Sequence, residues 1–279
     1  MEKEVKDYFD LTGKVAIITG GAGLLGRKHA EAIAEAGGIP VIADIDPSAT
    51  AQASQELSRR YQVDCLGVVT DVTQRESIEG LLSQVLDHYK RVDILINNAA
   101  HNPKVEATGT SETEWSRFEN FPLEVWQRDL MVGLTGVFLC CQVIGTDMAA
   151  RGRGVILNIA SDLAVIAPDQ RIYRKEGLAE DSQPVKPVTY SVVKSGMIGL
   201  TRYLATYWAA KNVRVNAISP GGVYNGQSDE FVQKLTNLIP MGRMAHVDEY
   251  KGAVLFLVSD ASSYMTGGNL IIEGGRTVW

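Results

Sequence analysis

Short, continuous apolar runs alternate with amphipathic stretches along nearly the whole chain. Residues 14–19 form a β-rich run, followed by a glycine turn and an amphipathic segment at 24–36. A second run at 39–43 precedes a helical pattern at 48–60, and the pair 63–70 and 76–89 repeats it. Runs at 92–97, 155–160, 213–218 and 269–272 then alternate with helical patterns at 123–150, 188–210 and 250–259. A strand that is apolar at every position is buried on both faces, as in a parallel sheet covered by helices on each side. This order predicts an α/β fold: three layers around a doubly wound parallel sheet. No Pro/Gly/Ser-rich linker divides the chain, so one domain is expected over residues 1–279.

Two segments break the rhythm. Residues 101–122 are polar and lack clear periodicity; residues 164–187 are rich in charge and proline. Both follow strands, so they are expected at the carboxyl ends of the sheet, where such folds bind ligands. Long loops there are expected to shape a substrate pocket.

The turn Thr19-Gly20-Gly21-Ala22-Gly23-Leu24-Leu25-Gly26 sits between a strand and a helix. Glycines there allow a tight turn and close approach of phosphate to the backbone. The helix N-terminus then offers N–H groups and a positive dipole end to a pyrophosphate. This predicts a dinucleotide held by Gly20, Gly23, Leu25 and Gly26 in a Rossmann fold. Asp44 ends the second strand, where a carboxylate accepts hydrogen bonds from ribose hydroxyls and repels a 2′-phosphate. No Arg or Lys follows it directly (Ile45, Asp46, Pro47), which favours NAD over NADP. Asp71 follows the third strand and is placed to meet adenine; its competing reading is an N-cap of the next helix.

Tyr190 and Lys194 are one helical turn apart on one face. An ammonium beside a phenol lowers the phenol's pKa, and a phenol so tuned can exchange a proton with a carbonyl or alcohol oxygen. A second copy, Tyr207 and Lys211, lies about 17 residues along, or roughly 25 Å at helical rise, and cannot serve the same site.

Charge and composition narrow the class. The formal net charge of −6 argues against a general nucleic-acid or membrane surface. No apolar run is read as long enough to span a bilayer, and residues 1–7 carry no apolar signal core, so a cytoplasmic protein is expected. Cys65, Cys140 and Cys141 have no metal-ligand spacing, the four histidines are scattered, and no metal site is expected.

In order along residues 12–275 stand the glycine turn, Asp71-Val72, Asn97-Asn98-Ala99-Ala100, Ser161, Tyr190 to Lys194, Asn212 to Asn216, Pro220-Gly221 and Thr266-Gly267-Gly268. This series resembles the short-chain dehydrogenase/reductase superfamily, in a classical layout. The resemblance implies Tyr190 as general acid/base, Lys194 lowering its pKa and holding the nicotinamide ribose, and Ser161 binding the reacting oxygen. Asp71, Val72 and Asn97 are then cofactor-pocket residues, and Pro220-Gly221 flanks the nicotinamide. Residues 221–246 resemble the family's variable substrate-binding loop and helix. Homo-oligomers, a dimer or more usually a tetramer, are also implied.

Four departures from the family pattern stand out. Leu24 replaces the middle glycine, and the Gly20, Gly23, Gly26 spacing resembles the extended branch. Ala100 replaces a glycine. The family's catalytic Asn, seven positions after Trp126, is Gly133, which predicts a slower or rerouted proton relay. Ser161 and Tyr190 stand farther apart than usual, the surplus being the 164–187 insertion. Its Arg171, Arg174 and Lys175 suit an anionic substrate such as a phosphorylated or nucleotide-linked sugar; Glu176, Glu180 and Asp181 balance them in the competing reading of a solvated charge run. Tyr224, Asn225 and Gln227 mix with Phe231 and Met241 in a way that fits a sugar or polyol. Members sharing this glycine turn are associated with surface-sugar and flagellin-glycan pathways. The leading expectation is an NAD(P)-dependent oxidoreductase of a carbonyl/secondary-alcohol pair, with a sugar derivative as small-molecule substrate. The competing expectations are a 3-oxoacyl-thioester or small-polyol reductase, a dinucleotide-binding regulatory protein without catalysis, and a structural protein on a borrowed fold.

Overall fold

The computed structural model describes residues 4–101 and 114–279, so most of the expected insertion at 101–122 lies outside the described residues. In chain order the elements are β1 (Val15–Thr19), α1 (Leu24–Glu35), β2 (Ile39–Asp44), α2 (Pro47–Tyr61), β3 (Leu66–Val69), α3 (Arg75–Tyr89) and β4 (Ile94–Asn97). The second half continues with α4 (Leu123–Ala150), β5 (Gly154–Ile159), α5 (Val188–Tyr207), β6 (Val213–Pro220), α6 (Asp229–Thr236), α7 (Lys251–Val258) and β7 (Asn269–Ile272).

The strands form one parallel sheet in the order β3-β2-β1-β4-β5-β6-β7. β1 pairs with β2 from Val15↔Ile39 to Thr19↔Ala43, and with β4 from Ala16↔Ile94 to Ile18↔Ile96. The order reverses between β1 and β4, and the crevice beyond their carboxyl ends is where ligands bind in such sheets. Every residue of β1 is buried, so side chains on both faces must find apolar cover. One cluster joins Ile17, Val41 and Leu95 to α3, α4 and α5 through Leu81, Ile144 and Met197. The other joins Ile18, Ile42 and Ile96 to α1, α2 and α7 through Ile33, Leu57 and Val254. These two clusters are the layers that the alternation of runs predicts.

Local signals set several boundaries. Asp46 caps α2 by accepting from Ser48 N and Ala49 N, with Pro47 in the first turn. Asp71 does not cap the next helix: the N-cap of α3 is Gln74, and Asp71 closes an Asx turn onto Thr73 N at 2.9 Å. α5 is shorter than the 188–210 pattern, ending at Tyr207 before a 3₁₀ turn at Ala209–Lys211. α4 is not uniform, because π-helical turns interrupt it at Met131–Thr135 and Cys141–Gly145.

One expectation is corrected here. By length and composition alone, Leu123–Ala150 is apolar enough to cross a membrane. Half of its apolar stretch is buried inside the fold, with Cys140, Cys141, Ile144 and Met148 in the core, and a core helix passes the same test.

Candidate active site

The glycine turn is shaped by contacts that tolerate no side chain. Gly20 has φ +60° and a Cβ there would lie 2.8 Å from Ala99 Cα; a Cβ on Gly26 would lie 2.2 Å from the Gly20 carbonyl oxygen. Gly23 starts α1, and no side chain caps that helix. Its leading N–H groups therefore face the crevice as anion donors. Two residues outside the predicted set hold this geometry. Asn98 Nδ2 donates to the carbonyls of Thr19 and Gly20, each at 3.0 Å, and Thr19 Oγ1 accepts from Asn98 N and Ala99 N. Leu25 packs on the core cluster beneath the turn.

Asp44 stands at the carboxyl end of β2 and accepts from Ala22 N at 3.1 Å. Arg27 is committed elsewhere, to the Ala22 carbonyl and to Glu56 at 3.1 Å. Asn97 is buried between β4 and β5: its Nδ2 donates to Asn158 Oδ1 at 2.8 Å, and its Oδ1 is buried without a partner. Val72 packs in the core, with its Cγ2 2.9 Å from where a Cβ on Gly136 would sit. Pro220 ends β6, and Gly221 N donates to the Ile272 carbonyl; a Cβ on Gly221 would meet Glu273 Cα at 2.8 Å. An uncapped helix, a glycine cradle and a carboxylate at the neighbouring strand end together fit a dinucleotide.

Ser161 follows β5, and Tyr190 and Lys194 lie in the first two turns of α5. The 164–187 insertion does not keep them apart. It folds back onto α6, where Ile172 packs with Leu235, Ile239 and Met244, and the Tyr173 and Phe231 rings lie 5.6 Å apart. Its cations are mostly paired within it: Arg171 with Asp169 at 2.6 Å, and Arg174 with Glu180. This is the solvated charge run rather than an open anion site.

Lys194 is buried, and its Nζ donates to the Ile159 carbonyl at 2.7 Å. Burial pushes its pKa down to about 8, with the Lys186 charge acting in the same direction. Lys186 lies over the Tyr190 ring, Nζ 3.9 Å from the centroid, whereas Lys194 Nζ is at 6.0 Å. Burial lowers Lys186 to about 8 as well, against the opposing charges of Asp162 and Asp129. The phenol of Tyr190 is raised, not lowered as the Tyr–Lys spacing predicts. Burial dominates, the hydrogen bond with Ser161 opposes it, and the Asp162 charge adds to it. Perturbed titrations clustered in a cleft mark a functional site.

Three further groups escaped the sequence. Asp162 accepts from Ser161 Oγ at 2.8 Å and is paired with Arg276 Nη1 at 2.7 Å; both members of that pair are buried. Asp129 on α4 binds Thr189 Oγ1 and the His101 ring. Val193 fills the space beside Gly133, its Cγ1 2.5 Å from where a Cβ would stand. Asp162, next to Ser161, was the only one with a local signal. The copy Tyr207–Lys211 lies away from this cleft, with Tyr207 exposed and stacked on Tyr203.

A family model described as enoyl-(acyl carrier protein) reductase matches residues 21–277. The chain belongs to the short-chain dehydrogenase/reductase superfamily. It is 36% identical to the NAD-dependent glycerol dehydrogenase of Listeria innocua over 97% of this chain and 96% of that one. It is 33% identical to the NADP-dependent mannitol dehydrogenase of Alternaria alternata, over 99% and 96% of the two chains. The solved structure of a short-chain type dehydrogenase/reductase from Mycobacterium marinum superposes with a TM-score of 0.83 at 32% identity, covering 99% of each chain. The first two of these relatives are named for NAD- or NADP-dependent dehydrogenation of glycerol or mannitol, and this chain, as a member of the superfamily, is an oxidoreductase.

Proposed function

We propose that the protein is an NAD-dependent dehydrogenase of a polyol or sugar-derived secondary alcohol. The observation that carries this reading is the meeting of Ser161, Tyr190 and Lys194 beside the crevice where α1 presents its uncapped N-terminus. Binding alone requires no such trio, which weighs against a regulatory protein without catalysis. A bound nicotinamide supplies the hydride acceptor for the alcohol carbon, or the donor in the reverse direction.

The side chains supply the rest. Ser161 Oγ donates to Asp162 Oδ1 at 2.8 Å, and it orients the reacting oxygen by turning that one proton from the carboxylate to the substrate. Tyr190 takes the alcohol proton as the carbonyl forms and returns it in reduction. Burial disfavours the phenolate, so nearby cations must stabilise it; Lys186 over the ring and Lys194 in the adjoining turn supply that charge. The cofactor-pocket positions are Gly20, Gly23, Leu25, Gly26, Asp44, Asp71, Val72, Asn97, Pro220 and Gly221, with Lys194 at the ribose. Asp44 supports NAD, since its carboxylate faces the adenosine end and Arg27 is held by Glu56.

The relatives favour polyols, and the internal pairing of Arg171 and Arg174 removes the main support for an anionic substrate. A homo-oligomer formed through α4 and α5 fits the exposed Met131, Phe138, Val192 and Tyr203. The test is absorbance at 340 nm with NAD or NADP across polyols, sugar derivatives and acyl-thioesters. Turnover of a polyol or sugar that vanishes in Tyr190→Phe is expected. Turnover confined to acyl-thioesters, or unchanged in the mutant, would overturn the reading.

A further inference from the structure

Every alcohol oxidised at this site leaves one proton on Tyr190, and that proton must reach solvent before the next turnover. The family's Asn on α4 is the side chain that positions relay water for this purpose, and here it is Gly133. The structure shows that the replacement is concerted. Gly133 is buried, and the Val193 side chain already occupies the volume its Cβ would need. The helix takes a π turn over Met131–Thr135 at the same place, a form that recurs at functional sites. Loss of the side chain is therefore built into the packing between α4 and α5.

One turn earlier on α4 stands a different polar group. Asp129 is buried, and its two oxygens are divided: Oδ1 pairs with His101 Nδ1 at 2.6 Å, and Oδ2 accepts from Thr189 Oγ1 at 2.5 Å. A single small cleft of about 10 Å³, room for about one water, is lined by His101, Asp129, Gly133, Tyr190, Val193 and Lys194. The His101 side chain is partly exposed and the Asp129 side chain is not, so the pair runs from the interior to the surface.

Resting on the dehydrogenase reading above, we propose that His101 and Asp129 form a proton-relay dyad that serves Tyr190 and Lys194 in place of the missing Asn. Asp129 fixes the ring with its proton on Nδ1, which leaves Nε2 as the acceptor. In oxidation the hydride leaves with the nicotinamide and the hydroxyl proton passes to Tyr190. Lys194 and water in the cleft hand that proton to His101 Nε2, and His101 releases it to solvent. Reduction runs the same path inward, with one proton taken up. Three titratable groups face the dyad: Lys186 ahead of α5, and Tyr190 and Lys194 on α5. The Lys186 charge responds to Asp129 and Lys194 responds to Lys186, so the cleft behaves as one electrostatic unit.

The test compares wild type, His101→Ala, Asp129→Asn and the pair Gly133→Asn/Val193→Ala in the His101→Ala background. In His101→Ala, kcat for alcohol oxidation should fall about 10- to 100-fold, the scale for losing a group that supports a catalytic one, with KM for NAD and alcohol unchanged. The solvent deuterium isotope effect on kcat should rise, added imidazole should restore turnover, and the Gly133→Asn/Val193→Ala pair should restore part of it. Unchanged kcat and isotope effect in His101→Ala would overturn the relay, as would a loss that imidazole does not rescue and that raises KM. A second readout needs no turnover: nitrogen-15 spectra of the His101 ring should show the Nδ1–H tautomer at neutral pH, shifting in Asp129→Asn. The opposite tautomer refutes the dyad whatever the substrate, whereas absence of any alcohol turnover beside the expected tautomer refutes the dehydrogenase reading.

Discussion

Replacing Arg276 by Met isolates the ion pair that fastens the loop of Ser161 to the segment after β7. Arg276 Nη1 and Asp162 Oδ2 are 2.7 Å apart, and both side chains are more than nine-tenths buried. Met keeps the length and apolar bulk of the stem, so the loss falls mainly on the charge. Removing one partner of a buried pair costs about 3–5 kcal/mol, because the other charge is left uncompensated. Asp162 retains two donors, Ser161 Oγ and Leu163 N, which places the effect near the lower end. At about 2–4 °C per kcal/mol for a chain of somewhat smaller size, a loss of about 3 kcal/mol lowers Tm by roughly 6–12 °C. Circular dichroism melts of the wild type, Arg276→Met, Asp162→Asn and the double variant form a double-mutant cycle. The double variant should recover at least about 1 kcal/mol relative to the sum of the single changes. Turnover of Arg276→Met should fall as well, since a displaced Asp162 no longer holds Ser161. A Tm within about 2 °C of wild type, or strictly additive single changes, would refute the argument.

Other perturbations probe the rest of the site. Gly26→Ala places a methyl 2.2 Å from the Gly20 carbonyl oxygen, so NADH binding followed by fluorescence should be lost before the fold melts. Asp44→Ser removes the carboxylate that repels a 2′-phosphate, and the kcat/KM ratio of NADP to NAD should rise at least about tenfold, the equivalent of about 1.4 kcal/mol. Lys194 has a pKa lowered by burial to about 8, so its ammonium, and turnover that depends on it, should decline as pH rises through about 8. Lys186→Met removes the like charge that helps depress Lys194; the pKa of Lys194 should rise and this alkaline limb of the kcat profile should move to higher pH. A limb that stays put or moves to lower pH would show that Lys194 does not set it.

The chain wrote its architecture in local patterns and its site only in part. Strands such as Val15–Thr19 are legible because burial on both faces demands an unbroken apolar run. The glycine turn is legible because close backbone contact excludes side chains at fixed spacing. Ser161, Tyr190 and Lys194 are named by motif, and the fold brings them to one place despite the long insertion between them. What stayed hidden depends on partners far apart in sequence. Nothing near Asp162 announces Arg276, and nothing near Gly133 announces the methyl of Val193 that makes its glycine obligatory. The π turns of α4 share the apolar periodicity of an ordinary helix. The net direction at Tyr190 was hidden for a related reason: spacing reports the proximity of Lys194, but burial, which raises the phenol, is a property of the whole fold.

The place of β1 inside the sheet, between β2 and β4, has a consequence during synthesis. β1 pairs with β2 soon after both emerge, but its other edge waits for β4, and the glycine turn waits for Asn98, whose N–H meets Thr19 Oγ1 across 79 positions. At about 5–20 residues per second, a ribosome takes roughly 4–16 s to cover that distance. For that interval Val15-Ala16-Ile17-Ile18 is an unpaired apolar edge, the kind that templates aggregation. Chaperone dependence and inclusion-body formation should therefore respond most to events between residues 19 and 98, long before any residue of the Ser161–Tyr190–Lys194 trio has been made.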